Sequence, residues 1–255
     1  MKLIKKSIKI IKEKGWKEFF LRVFNFFKIR TSEFFLFLNK QRIINQLKNF
    51  HSENPEEIFN FISNFKKGAF KPAQIKEEFL ELLKIFQKQN PKYILEIGTA
   101  KGGSLFCFCK LAREDATIIS IDLPGGSFGG GYPEWKIPIY QAFAKKNQKL
   151  YLLRKYSHKE ETLEEVKKIL NGNQLDFLFI DGNHSYEGVK KDFEMYSPLV
   201  RKRGIIAFHD IVKHPPETGC EVEKLWKEIK NDFDFKELIK DINQNWAGIG
   251  VLIKS

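Results

Sequence analysis

Five short apolar runs, each closed by a glycine or a polar residue, recur from residue 93 onward. They are 93–98 (YILEIG), 117–122 (TIISID), 149–154 (KLYLLR), 175–181 (LDFLFID) and 204–210 (GIIAFHD). Helical stretches are predicted between and after them at 103–113, 135–146, 160–170 and 186–198, and an amphipathic helix at 72–89 precedes the first. Strands that are apolar on nearly every residue and alternate with helices form a parallel sheet covered on both faces. Two further runs, 235–242 and 248–254, are separated by residues 243–247 alone. A link that short cannot make a right-handed crossover, so this pair must be antiparallel. The expected fold class is therefore α/β. It is a Rossmann-like, doubly wound, mostly parallel seven-stranded sheet with a terminal antiparallel hairpin, plus an N-terminal helical extension.

The first run leads into EIGTAKGGS, residues 96–104, where glycines permit a tight turn and close approach of the backbone to a ligand. The spacing from Gly98 to Gly102 and Gly103 is not that of a dinucleotide fingerprint, and the loop lacks the Gly-Lys-Ser/Thr of a phosphate loop. Asp122 closes the next strand, where a carboxylate can accept from both hydroxyls of a ribose. DGNHSY (181–186) follows the fourth run, and His209 and Asp210 end the fifth. In a doubly wound sheet the first and fourth strands are neighbours and a crevice opens at their carboxyl ends. Asp181 and Asp210 would then stand side by side, which calls for a shared divalent metal or a nearby imidazole. The plainer roles are capping for Asn183 and Asp210, and orientation of its neighbours for His184.

The glycine loop, the acid at Asp122 and the IDGNHSYEG segment (180–188) together resemble class I S-adenosylmethionine-dependent methyltransferases, in the branch of cephalosporin-hydroxylase-like and macrolide-sugar O-methyltransferases. The resemblance covers roughly residues 72–254. It implies cofactor contacts from Glu96, Gly98, Thr99, Gly102, Gly103, Ser104, Asp122, Ser157 and Asp181, with Lys155 and Tyr156 standing where the family more usually has Gly-Asp. It implies Mg²⁺ at Asp181 and Asp210, with His209 or Asn183 as third ligand. An alcohol attacks poorly unless its proton leaves, so His184 is the first candidate base and His209 the second, with Asp181 beside them in the catalytic set. The reaction implied is O-methylation of a small hydroxylated acceptor, foremost a sugar or glycan hydroxyl. Residues 123–136 (LPGGSFGGGYPEWK) read as a flap over the site, with Tyr132 and Trp135 offering aromatic surface to the acceptor.

Charge divides the chain unevenly. The net charge is +12, and residues 1–50 hold 13 of the 44 Lys and Arg residues against 3 of the 32 acids. The remainder is close to neutral, so the reading assigns no nucleic-acid partner. Residues 1–50 are expected to be helical in two pieces around Gly15, with an apolar stripe from Ile4 to Phe26. That stripe fits the body of the protein, a second subunit in a homo-oligomer, or an anionic membrane surface. The expected division is 1–70 as basic extension and 71–255 as methyltransferase domain. Cys107, Cys109 and Cys220 fit no disulfide framework and no zinc spacing, which places the chain in the cytoplasm, with a peripheral position at the inner membrane face as the variant. A nicotinamide-dependent oxidoreductase and a non-catalytic interaction module are the competing classes for the same sheet.

Overall fold

The computed structural model describes Trp16, Thr31, residues 33–125 and residues 131–255. The expected break at Gly15 and stripe from Ile4 to Phe26 lie outside the described residues, as do residues 126–130 of the glycine-rich loop. The chain forms two compact units, 1–45 and 46–255. The division thus falls before the expected residue 70. The reason lies in α2 (Pro55–Asn64), whose Phe61 stacks on Phe106 in α4 (Gly103–Leu111) with ring centroids 5.7 Å apart. Ahead of it lies α1 (Lys40–Lys48). Asn54 starts α2 by accepting from the amides of Glu56 and Glu57, with Pro55 at the first helical position.

Seven strands make one sheet: β1 (Tyr93–Ile97), β2 (Thr117–Ile121), β3 (Lys149–Leu153), β4 (Leu175–Ile180), β5 (Val200–His209), β6 (Asp234–Leu238) and β7 (Ile249–Ile253). Their order is β3-β2-β1-β4-β5-β7-β6, with β7 antiparallel to both neighbours and the rest parallel. The expected neighbours β1–β4 and β4–β5 are both present. Side chains alternate across β4. Phe177 and Phe179 face an aromatic layer with Phe86 of α3 (Lys76–Gln89) and Phe108 of α4. Leu178 and Ile180 join an aliphatic cluster with Leu163 and Val166 of α6 (Glu160–Leu170), Val189 of α7 (Tyr186–Tyr196), and Leu225 and Trp226 of α8 (Val222–Ile229).

Three elements differ from expectation. The helix predicted at 135–146 shrinks to α5 (Ile137–Gln141), because the Phe143 ring turns inward onto Phe106, 5.3 Å away. The helix predicted from 72 begins at Lys76, with a bend at 73–74 before it. The strand predicted at 235–242 ends at Leu238, beyond which Asp241 accepts from the Asn243 amide in a side-chain turn. In β7, a Cβ at Gly250 would lie 2.5 Å from the Trp226 ring. Gly250→Ala is therefore expected to lower stability by about 1–3 kcal/mol in urea unfolding, the usual cost of overpacking a core. An unchanged midpoint would show that the indole has room to move.

Candidate active site

The carboxyl ends of β1, β2 and β4 open into a cavity of about 510 Å³. Its walls come from Gly98 to Lys101, Gly103 and Ser104, from Asp122 and Leu123, from Lys155 to Ser157, and from Asp181 to His184. A fifth wall, Lys71 to Gln74, comes from the bend that leads into α3. Of the residues predicted for the cofactor, Gly98, Thr99, Gly103, Ser104, Asp122, Ser157 and Asp181 are brought together here, as are Lys155, Tyr156 and the candidate base His184.

Close backbone approach dictates the glycines. A Cβ at Gly98 would meet the Asp181 carbonyl oxygen at 2.0 Å, and one at Gly103 would meet the Phe70 carbonyl oxygen at 2.4 Å. Gly102, expected to close the turn and to contact the cofactor, closes the turn but stands outside the cavity. It adopts φ +78° beneath the rings of Tyr140 and Phe143 and lines no part of the cavity. Glu96 is likewise displaced from its predicted role. Its side chain lies wholly within the protein, where Oε1 accepts from Ser104 and Oε2 from Ser120, both at 2.6 Å. Ser120 Oγ in turn pairs with Thr99 Oγ1 at 2.6 Å, so this chain of hydroxyls braces the glycine loop from below. Burial pushes the Glu96 carboxyl up to about 8. Ala100 takes the left-handed φ of 43° and its amide donates to Asp122 Oδ2 at 2.6 Å, while Leu123 donates to Oδ1 at 2.7 Å. The expected aromatic surface at Tyr132 is absent from the cavity, because that ring is buried against Tyr140, 4.8 Å away.

At the far end Asp181 and Asp210 are bridged by imidazoles. His184 places Nε2 3.3 Å from Asp181 Oδ1 and Nδ1 3.0 Å from Asp210 Oδ2. His209 Nδ1 lies 3.1 Å from Asp181 Oδ1 and 3.4 Å from Asp210 Oδ1. Gln74 Nε2 donates to Asp181 Oδ2 at 2.6 Å, and its own Oε1 is buried with no hydrogen-bond partner. Burial alone would lift both carboxyls, but the facing imidazoles hold Asp181 and Asp210 below the ordinary carboxylate range. Burial also opposes a charge on His184, yet its bonds to Asp181, Asp210 and Cys220 push it up to about 12.

Three predicted roles change as a result. An imidazole with both nitrogens on carboxylates carries both protons, so His184 in this state has no lone pair with which to act as a base. His209 and Asp210 are only 5% and 4% exposed and lie behind the cavity wall. The group does not fit Mg²⁺, which prefers oxygen ligands and keeps several waters. Both oxygens of Asp181 already accept hydrogen bonds, and the position after Asp210 is the buried Ile211. Asn183 Oδ1 accepts from the amide and hydroxyl of Ser185, a capping role. Gln74, His214 and Cys220 were not named as site residues from the sequence, although His214 stands four positions after Asp210.

Two measurements test this geometry. Glu96→Gln should keep the loop braces and stability to within about 0.5 kcal/mol, whereas Glu96→Ala should cost about 1–3 kcal/mol by stranding two buried hydroxyls. Equal losses would show that ionised Glu96 is required. His209, ordinarily near 6.5, is opposed by burial but raised to about 10 by Asp181 and Asp210. A value raised in the folded state stabilises fully below about pH 6.5 and fades as pH climbs toward about 10. Thermal melts in chelator should therefore fall more steeply between pH 7 and 10 for the native chain than for His209→Gln. Parallel curves would exclude the charged pair.

Residues 95–211 match the sequence profile of a family described as "Methyltransferase domain". An uncharacterized protein, y4gI of Sinorhizobium fredii, is 33% identical over 144 residues, covering 55% of this chain and 15% of that protein. The uncharacterized protein R132 of Acanthamoeba polyphaga mimivirus is 32% identical over 151 residues, 58% of this chain and 65% of that one. The chain thus spans less than two thirds of the length of these curated relatives. The O-methyltransferase TomG of Streptomyces achromogenes, solved in complex with S-adenosylmethionine, superposes with TM-score 0.51 at 13% identity, covering 81% of this chain and 92% of TomG. Residues 95–211 are thus similar to a methyltransferase domain, and the sheet that carries them has the fold of TomG.

Proposed function

We propose that the protein is an S-adenosylmethionine-dependent O-methyltransferase acting on a small hydroxylated acceptor, with a sugar or glycan hydroxyl as the leading class. The observation that carries this reading is the meeting of Gly98, Asp122, Ser157 and Asp181 around one cavity. The resemblance to macrolide-sugar O-methyltransferases favours a sugar acceptor, and TomG is itself an O-methyltransferase.

Bound S-adenosylmethionine supplies an electrophilic methyl group on a sulfonium. Asp122, anchored by the Ala100 and Leu123 amides, is placed to accept from ribose hydroxyls, while the Gly98 turn admits the amino-acid end. Much of the rate comes from holding acceptor and methyl group in line. Of the three catalytic candidates, Asp181 is both on the cavity wall and ionised, so it would take the acceptor's proton as the methyl passes from sulfur to oxygen, the S–C bond breaking to leave S-adenosylhomocysteine. The proton on an alkylated oxygen is acidic enough for a carboxylate to remove. His184 and His209 keep Asp181 charged and oriented, and Gln74 fixes its second oxygen.

The test is calorimetric. The native chain should bind S-adenosylhomocysteine, and Asp122→Ala should weaken binding about 10–100-fold, the worth of hydrogen bonds to a charged group. Asp181→Asn should lower kcat about 10²–10⁴-fold at saturating cofactor. Tight NAD binding without S-adenosylhomocysteine binding would overturn the reading, and methyl transfer only to nitrogen or carboxylate would overturn the acceptor class.

A membrane-facing role for the basic segment is a second reading, favoured by the exposed Phe34, Phe35, Phe37 and Leu38 in a region rich in Lys and Arg. No described helix is long and apolar enough to cross a membrane. Flotation with anionic vesicles should recover the full chain and lose a chain without residues 1–45. Equal recovery, or concentration-dependent self-association that needs the segment, would replace the membrane with a protein surface.

A further inference from the structure

Asp210 gathers a set of side chains around its carboxylate. His184 Nδ1 and His214 Nε2 stand 3.0 Å and 3.1 Å from its carboxylate oxygens. Cys220 approaches from the segment after β5. Its thiol, a ring nitrogen of His184 and a carboxylate oxygen of Asp210 all lie within 4.8 Å of one another. Asp210 itself holds a left-handed φ of 65°, a conformation that collects at functional sites.

The donor types decide which ion could sit there. One imidazole, one carboxylate and one thiol suit zinc, which takes nitrogen, oxygen and sulfur ligands and leaves a fourth position open in catalytic sites. Zinc bonds of about 2.0–2.3 Å at tetrahedral angles separate neighbouring ligand atoms by about 3.3–3.6 Å. The 3.0 Å between His184 Nδ1 and Asp210 Oδ2 is a few tenths short of that, within reach of a small side-chain rotation. The ion would take the place of the proton held between them, and the Cys220 thiol would release a second proton to water. Neutral imidazole, carboxylate and thiolate then balance the double charge. His184 also turns its other nitrogen to Asp181, 3.3 Å away, and a carboxylate behind a metal-bound imidazole fixes its orientation. Cys220 is partly exposed, which gives an entry path, whereas Cys107 and Cys109 are buried in α4.

We propose that His184, Asp210 and Cys220 form a zinc site at the back of the cavity, with Asp181 as the positioning residue for His184. The inference goes beyond methyl transfer and does not rest on it, since binding is read without cofactor or acceptor.

The experiment uses the full chain, stripped with chelator and titrated with Co²⁺ as a spectroscopic probe, then with Zn²⁺ or Mg²⁺. The expected result is a thiolate-to-cobalt charge-transfer band with tetrahedral d–d absorption, abolished by one equivalent of Zn²⁺ and untouched by excess Mg²⁺. Cys220→Ser should remove the charge-transfer band. Asp181→Asn should keep the band while weakening Zn²⁺ binding about 10–100-fold, the usual effect of losing such a partner. In the native chain Zn²⁺ should also slow alkylation of Cys220, a readout that needs no variant. Absence of the band, its survival in Cys220→Ser, displacement by Mg²⁺, or unprotected alkylation would each overturn the site.

Discussion

Where β1 and β4 part, the Asp181 amide donates to the Ile97 carbonyl at 2.8 Å, and Gly98 then turns away with φ +102°. No side chain fits between the two backbones there, since a Cβ on Gly98 would sit 2.0 Å from the Asp181 carbonyl oxygen. The cavity begins at this contact. A wider separation would move Asp181 away from the glycine loop, and a bulkier residue would push the loop out of register with Asp122. The bracing beneath, from Thr99 through Ser120 and Glu96 to Ser104, stabilises a turn in which Ala100 already tolerates a left-handed backbone.

The electrostatics follow from the same meeting point. Parallel pairing of β4 with β5 brings two carboxylates to adjacent strand ends, an arrangement that is unfavourable unless positive charge is supplied. Here imidazolium supplies it, and the same donor atoms are spaced closely enough for a metal ion to do so instead. Proton and ion compete for one position between His184 and Asp210. That competition explains how one cluster can satisfy its charges unaided and still present a zinc-like ligand set. An oxygen-seeking Mg²⁺ is poorly matched to the imidazole and thiol of that set.

The parallel sheet, the terminal hairpin and the crevice were legible because they depend on periodicity and on connection length, both local properties of the chain. The place of Glu96 and Gly102 relative to the cavity was misread because motif spacing says where a residue stands and not which way it faces. Alternation along β1 carried part of the missing information. Leu95 and Ile97 join the aliphatic cluster, so Glu96 between them must face α4 and its Ser104. Gln74 and Cys220 carried no such signal. Gln74 reaches the cluster from 107 positions away from the Asp181 it touches, and Cys220 by an irregular segment after β5. The shortened α5 belongs with them, since its end is decided by Phe106 across the core.

The terminal hairpin has a part in the site as well. Because β7 runs antiparallel to β5, its start returns to the carboxyl edge of the sheet, with Ile249 opposite His209. There the carbonyls of Gly248 and Ala247 accept from the amides of Ile211 and Val212, holding the segment that follows Asp210. The returning chain is fastened in turn by Glu78, buried in the first turns of α3, which accepts from the amides of Lys240 and Gly248. Four residues before Glu78, Gln74 grips Asp181. The start of one helix therefore ties down both carboxylates of the cluster, Asp181 directly and Asp210 through the hairpin. A disturbance at the β6–β7 connection, remote from the cofactor cavity in sequence, would reach the charged cluster through Glu78 and the backbone of Ile211.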